Sequence, residues 1–385
     1  MENVASFTIP VGFDAHLHLR DGKALETTVP HIAAHWGAAI VMPNLKPAIR
    51  TVGQALDYRE RILANVPAGV AFNPLMTLYL TLDTSSDDLH EIVASYGKVV
   101  ACKLYPAGAT TNSSEGIPDV EKAYRIFETM QKCGIPLCVH GEVTDPSVDV
   151  FDREAVFIDR HLRKIVETFP ELRVVMEHIT TKDGVEFVES CGKYVAASIT
   201  AHHLLFNRNA LFQNGVRPHW YCLPILKRDV HQQALVRAAT SGSDKFFAGT
   251  DSAPHPKNLK EHSCGCAGCY TAPQALAAYA EVFDRAGKFE AVHDNGKGID
   301  EFARFVSTGA PSFYRVPKPD GHVLLSRVGE EYSMSDENVL SRVGRESDID
   351  DEARVPAEYA FGDSSVVPLF AGERMRWVAA RVSKN

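Results

Sequence analysis

No stretch of this sequence approaches the roughly 20 consecutive apolar residues that a membrane-spanning helix needs, so no membrane partner is expected. A basic cluster is missing too. Forty Lys and Arg stand against 49 Asp and Glu, a net charge of −9, which argues against nucleic acid as a partner. No glycine-rich phosphate loop follows the first apolar run, so an open nucleotide-binding sheet is not indicated. The opening Met1-Glu2-Asn3-Val4 lacks the basic and apolar regions of a secretion signal. Eight cysteines in 385 residues without such a signal point to reduced thiols, not a disulfide framework. The expected location is the cytoplasm.

What is present is ordinary globular composition, 45% hydrophobic and 23% charged, with ample chain for a large core. Short apolar runs alternate with helical patterns. Strands are predicted over residues 11–19, 38–44, 71–80, 99–106, 136–142, 173–179, 194–200 and 245–252. Helices are predicted over 52–65, 86–95, 119–133, 152–169, 182–190 and 230–241. Eight strands, most separated by helices, indicate an α/β fold, a closed parallel (β/α)8 TIM-like barrel occupying residues 1–326. Residues 327–356 depart from the pattern and read as an acidic, polar insertion. Beyond it, 366–369 and 375–382 flank Ala371-Gly372 and are expected to form a terminal hairpin, within residues 357–385, that packs back on the barrel.

Polar residues sit at the downstream ends of these strands, which share one mouth in such a barrel. His16 and His18 close the first, Asn44 the second, His140 the fifth, His178 the sixth and Asp251 the eighth, while Lys103 lies near the end of the fourth. Strand alternation puts His16 and His18 on one face and Leu17 on the other. Two neutral imidazoles suit zinc, at about 2.0–2.1 Å; alone, the pair also fits satisfied polar residues at a strand exit. Lys103 follows Val99-Val100-Ala101-Cys102, and an ammonium buried in such a strand must be paired, reach the mouth, or be neutralised. Reaction with CO2 to a carbamate is one escape, giving two oxygens that can bridge metals. Two zinc ions held by histidines alone would leave +4; a carbamate, Asp251 and a hydroxide supply −3. Asp251 also fits a helix N-cap.

Together with their neighbours these residues resemble the amidohydrolase superfamily, and within it the shorter, single-function bacterial and fungal dihydroorotases. The matching segments are Asp14-Ala15-His16-Leu17-His18-Leu19-Arg20-Asp21-Gly22, Met42-Pro43-Asn44-Leu45-Lys46-Pro47 and the run from Lys103-Leu104-Tyr105-Pro106 to Ser113. Val139-His140-Gly141-Glu142, Met176-Glu177-His178-Ile179-Thr180-Thr181, Gly249-Thr250-Asp251-Ser252-Ala253-Pro254-His255 and Ser263-Cys264-Gly265-Cys266-Ala267-Gly268-Cys269 complete the set. The resemblance implies two zinc ions per subunit, bridged by Lys103 as N6-carboxylysine and by hydroxide. His16, His18, Lys103 and Asp251 would hold one ion, and Lys103, His140 and His178 the other. Asp251 would be the general base and acid. Arg20, Asn44 and His255 would grip a substrate carboxylate, as an arginine fork does well, and backbone groups of Leu223 and Ala267 would contact the ring. Residues 108–114, with Thr110 and Thr111, would form a mobile loop. A small-molecule substrate and a homodimer follow from the same likeness, the reaction being interconversion of L-dihydroorotate and N-carbamoyl-L-aspartate.

Two rivals stand beside this reading: a hydantoinase- or allantoinase-type cyclic amidase, and a catalytically silent scaffold. Arg20, Asn44 and His255 favour a ring bearing a carboxylate over the first. Cys264-x-Cys266-x-x-Cys269 with His262 could also read as a zinc knuckle, though its spacing is compressed. His31 and His35 read as a helix face, His202-His203 as a loop after the seventh strand, and Asp21 and Glu142 as supporting groups at most.

Overall fold

The computed structural model describes residues 6–263, 265–290, 296–328 and 353–382. Its strands are β1 (Ser6–Pro10), β2 (Gly12–Leu17), β3 (Trp36–Val41), β4 (Asn73–Tyr79), β5 (Val99–Leu104), β6 (Leu137–His140), β7 (Val174–Glu177), β8 (Val195–Ile199) and β9 (Phe246–Ala248). After them come β10 (His322–Arg327), β11 (Tyr359–Phe361), β12 (Ser364–Val366) and β13 (Trp377–Arg381). Strands β2 to β9 form one parallel sheet in sequence order. A parallel bridge between Leu17 and Ser252 joins its first and last members, so the sheet closes into the expected barrel. Each of the eight predicted strands is present. Their residues are buried almost throughout, as a parallel sheet covered by helices requires.

Helix starts sit just beyond strand ends, where capping side chains fix the turns. Thr51 and Gln54 form a reciprocal capping box before Val52–Leu63, and Ser85 and Asp88 do the same before Ser86–Ala94. Thr181 and Thr200 cap Lys182–Ser190 and Ala201–Leu205. The helix predicted over 152–169 runs as Arg153–Phe157 and Arg163–Thr168 with a π-turn, Ile158–Leu162, between them. Apolar side chains inside the barrel, among them Phe13, Ala38, Leu75, Val175 and Phe247, meet Ala310 and Tyr314 of the helix Gly309–Tyr314.

Two features differ from the sequence reading. First, β1, β10 and β13 make a separate antiparallel sheet, in which Ser6 opposes Ser326 and Val323 opposes Arg381. Phe7 anchors it, its ring centroid 4.7 Å from Phe289 and 5.5 Å from Trp377. Second, the expected pairing of 366–369 with 375–382 does not form. The hairpin is β11 with β12, and the last strand pairs with β10 instead, because its apolar residues there cover the aromatic cluster. Of the insertion predicted at 327–356, residues 329–352 lie outside the described residues. Among the described residues no helix is long and apolar enough to cross a membrane.

Candidate active site

The inner face of β2 carries the first two site residues because its register breaks. Asp14 opposes Ala39 while Leu17 opposes Val41, so three steps on β2 span two on β3. Such a bulge resets which face a side chain takes. Phe13 and Ala15 belong to the apolar interior, yet His16 and His18 also point inward and Leu17 packs outward. Unbroken alternation from Phe13 would have turned both histidines away. Gly249 makes room for them: a Cβ there would stand 2.7 Å from the Ser198 Cβ and 3.1 Å from that of His16. Asp14, fully buried, accepts hydrogen bonds from the Thr250 amide (2.8 Å) and hydroxyl (2.7 Å) and from the His16 amide (3.1 Å). It thereby ties the first and last strands together at the site.

His16 and His18 converge on Asp251, their Nε2 atoms lying 3.3 and 3.1 Å from its Oδ1. The other face of His18 is fixed by Nδ1 on Asn44 Oδ1 at 2.9 Å, and Asn44 Nδ2 donates to the Thr111 carbonyl at 3.0 Å. Lys103 is completely buried and ion-paired with Glu177, whose other oxygen lies 3.0 Å from His16 Nδ1 without hydrogen-bonding alignment. His140 Nε2 meets Glu142 at 2.9 Å. The ring of His178 packs 4.8 Å from that of His16 and 4.9 Å from that of His140, its Nδ1 buried without a partner. Behind it, Glu154 accepts from the Thr180 amide (2.8 Å) and hydroxyl (2.7 Å) and from the Thr181 amide (2.9 Å), holding the turn after His178.

The electrostatics favour a cation here. Burial opposes a charge on His16, but Glu177 and Asp251 outweigh it and raise its pKa to about 9. Burial likewise opposes the Asp251 charge, yet His16 and His18 hold its carboxyl well below the usual range. Glu177 falls to about 2 against its burial, held by His16 and Lys103. His18 is pushed to about 4 by burial, which keeps it neutral and able to donate a lone pair. His16, His18 and Asp251 offer donor atoms within 4.8 Å of one another, and so do His16, Glu177 and His178. Imidazoles and carboxylates at this spacing, with an unpartnered ring nitrogen, fit a borderline divalent metal.

Above this cluster lies a small pocket bordered by His16, His18, Arg20, Asn44, Tyr105, Thr110, Thr111, His140, His178, Leu223, Asp251 and Ala267. Lys103 is not on its surface; it lies beneath, with Nζ 5.0 Å from the Tyr105 ring centre. At the rim Arg20 donates Nε to the Pro254 carbonyl at 2.9 Å, and its terminal nitrogen lies 3.0 Å from His255 Nε2. His255 is also 2.9 Å from the Ala267 carbonyl, and burial, with Arg20 nearby, lowers its pKa to about 2. Of the residues singled out as ligand or substrate contact, all but Lys103 and His255 border this pocket; Lys103 lies beneath it, and His255 stands behind Arg20 and Ala267. Asp21 does not join them: it pairs with Arg61 on the surface. His202 and His203 lie buried in the helix Ala201–Leu205, not in a loop. Glu177, Asp14 and Glu154 were missed. The one signal for Glu177 is a carboxylate directly after the apolar run Val174-Val175-Met176.

A closed parallel barrel whose strand ends gather four imidazoles, a lysine and a carboxylate defines the amidohydrolase class of enzymes, and residues 7–319 match the Amidohydrolase family. This class is generally metal-dependent. The chain belongs to the dihydroorotases of that family. It is 52% identical to the dihydroorotase of Acidovorax sp. (strain JS42), over 97% of each chain. The crystal structure of dihydroorotase from Campylobacter jejuni superposes with TM-score 0.81 at 32% identity, covering 98% of both chains. Dihydroorotase from Saccharomyces cerevisiae in complex with 5-fluoroorotic acid gives 0.83 at 29% identity, over 99% of this chain and 100% of that one. The protein is thus a hydrolase of cyclic amide bonds.

Proposed function

We propose that this chain interconverts L-dihydroorotate and N-carbamoyl-L-aspartate in de novo pyrimidine biosynthesis, working as a cytoplasmic homodimer with two zinc ions per subunit. The observation that carries the reading is the union, in one pocket, of the His16–His18–Asp251 cluster with the Arg20–His255 pair at its rim. The first suits hydrolysis, and the second suits a ring that bears a carboxylate.

Zinc would be held by His16, His18, Lys103 and Asp251 at one position and by Lys103, His140 and His178 at the other. Bound there, the ions would lower the pKa of water to make it a nucleophile and polarise the ring carbonyl. Lys103 would serve as its carbamate: the ammonium gives up a proton, the amine adds to CO2, and a second proton leaves. Glu177, paired with Lys103, is the carboxylate that faces the amine. Arg20, pinned by Pro254, turns its terminal nitrogens toward the substrate carboxylate, with Asn44 and His255 beside it. Backbone groups of Leu223 and Ala267 contact the ring, and Thr110 and Thr111 close over it. Asp251 is ionised from the outset and takes the proton of the attacking water. The ring C–N bond then breaks and Asp251 returns that proton to the leaving nitrogen. In ring closure the order reverses, and Asp251 starts protonated.

The test is an ultraviolet assay of purified protein with L-dihydroorotate, before and after chelation and after zinc is restored. Metal-dependent ring opening is the expected result. No turnover by folded, zinc-loaded protein, with turnover of a hydantoin instead, would overturn the substrate.

A further inference from the structure

We propose that His202, Cys222 and Cys269 form a separate buried site for a thiophilic divalent metal such as zinc. Their donor atoms lie within 4.8 Å of one another, and each residue is only 1% exposed. None of the three belongs to the pocket described above.

The strongest sign is His202. Both of its ring nitrogens are buried and neither has a hydrogen-bond partner. A neutral imidazole carries one donor and one acceptor, and burying either unmatched is unfavourable. Its neighbour His203 is the internal contrast: Nδ1 lies 2.7 Å from the Thr200 hydroxyl and Nε2 3.0 Å from the Pro224 carbonyl. One histidine of the pair is fully engaged, and the other faces two thiols with nothing to bind. A metal ion would engage the ring nitrogen that carries the lone pair.

The donor chemistry agrees. One imidazole and two thiolates are soft ligands that select zinc over magnesium or calcium. Two thiolates and a neutral imidazole cancel the charge of a divalent ion, which matters in so buried a place. Lys260, 3% exposed, donates to the carbonyls of Tyr221 (2.8 Å), Cys266 (2.7 Å) and Gly268 (2.8 Å). It thus ties together the backbone just before Cys222 and just before Cys269. The site would join three segments: the helix after β8, the stretch before Leu223, and the stretch after Ala267. Leu223 and Ala267 both border the substrate pocket, so the metal would brace the wall that carries them.

Cobalt(II) reads this site separately from the one in the barrel mouth, whose proposed ligands contain no sulfur. Cobalt-loaded wild-type protein should show a near-ultraviolet thiolate-to-cobalt absorption whose intensity corresponds to one cobalt–thiolate site per chain. The band should be lost in Cys269→Ala, weaken in His202→Gln, and persist in Cys266→Ser. No such band in the wild type, or a band unchanged in both Cys269→Ala and His202→Gln, would overturn the proposal. Because the wild-type spectrum needs no substitution, a variant that fails to fold does not decide the outcome. Failure of the dihydroorotase reading would leave the band in place.

Discussion

The two ends of the barrel interior are built by the same eight strands, yet they have little in common. Where the strands begin, Phe13, Ala38, Leu75, Ala101, Cys138, Val175, Ala196 and Phe247 fill the lumen and Tyr314 closes it. One or two residue pairs further along, the inner face becomes His16, Lys103, His140, Glu177 and Asp251. The closed end is apolar, while the open end holds buried polar atoms without partners: His16 Nδ1, Tyr105 Oη, Glu142 Oε1, Glu177 Oε1 and His178 Nδ1. Left-handed backbone recurs at the mouth, although Arg315, beside Tyr314 at the closed end, shares it with a φ of 57°. Arg20, Asn112, His178 and Asp251 all adopt left-handed φ values, between 43° and 61°, and all stand at the mouth. Each such residue costs of order 1–3 kcal/mol, which persists only where the surroundings enforce it. Packing at one end offsets strain and unmatched polarity at the other.

That division predicts opposite responses to substitution. Asp251→Asn should lower kcat by about 10²–10⁴-fold, the usual worth of a general acid–base group, while the thermal midpoint changes little. Loss of stability with retained turnover would break the contrast. Leu75→Ala should do the reverse, removing about 2–5 kcal/mol of stability by opening a cavity, with kcat of the folded fraction unchanged. Denaturant titration alongside initial rates separates the two effects.

Smaller effects sharpen the picture. Arg20→Ala removes a charge-assisted contact worth about 1.5–3 kcal/mol, so KM should rise roughly 10- to 150-fold with a lesser change in kcat. A collapse of kcat at constant KM would contradict a carboxylate-gripping role. A pH effect is expected outside the barrel mouth. Burial lowers the pKa of both His31 and His35 from 6.5 to about 4. Between those values the unfolded chain binds more protons than the folded one, so stability should fall as pH drops from about 6.5 toward 4. Replacing His35 with Gln should flatten that slope in urea titrations, and an unchanged slope would remove His35 from the account.

Much of the site was legible because its residues interrupt apolar runs at the ends of strands. Lys103 after Val99-Val100-Ala101-Cys102 is the clearest case, and the structure brings it beneath the predicted histidines. The bulge in β2 was not legible, since a two-residue period is silent about where it is broken. Glu177 is hidden in the sequence by standing beside His178, which by itself accounts for a polar end to that strand. The β1–β10–β13 sheet was missed for another reason: Ser6 and Ser326 pair across nearly the whole chain, and no local pattern encodes that contact. The same long reach took 375–382 away from the hairpin expected of it. Leu223 and Ala267 drew attention through family likeness alone, because a backbone contact leaves no trace in residue type.

We propose that the polar end of the barrel is a two-metal hydrolytic centre built around a modified lysine. A crystal structure of the zinc-loaded protein, with anomalous data at the zinc edge, tests it most directly. Two peaks among His16, His18, His140, His178 and Asp251, with carbamate density on Lys103 between them, are the predicted result. No peak there, with Lys103 an unmodified ammonium still paired to Glu177, would contradict it.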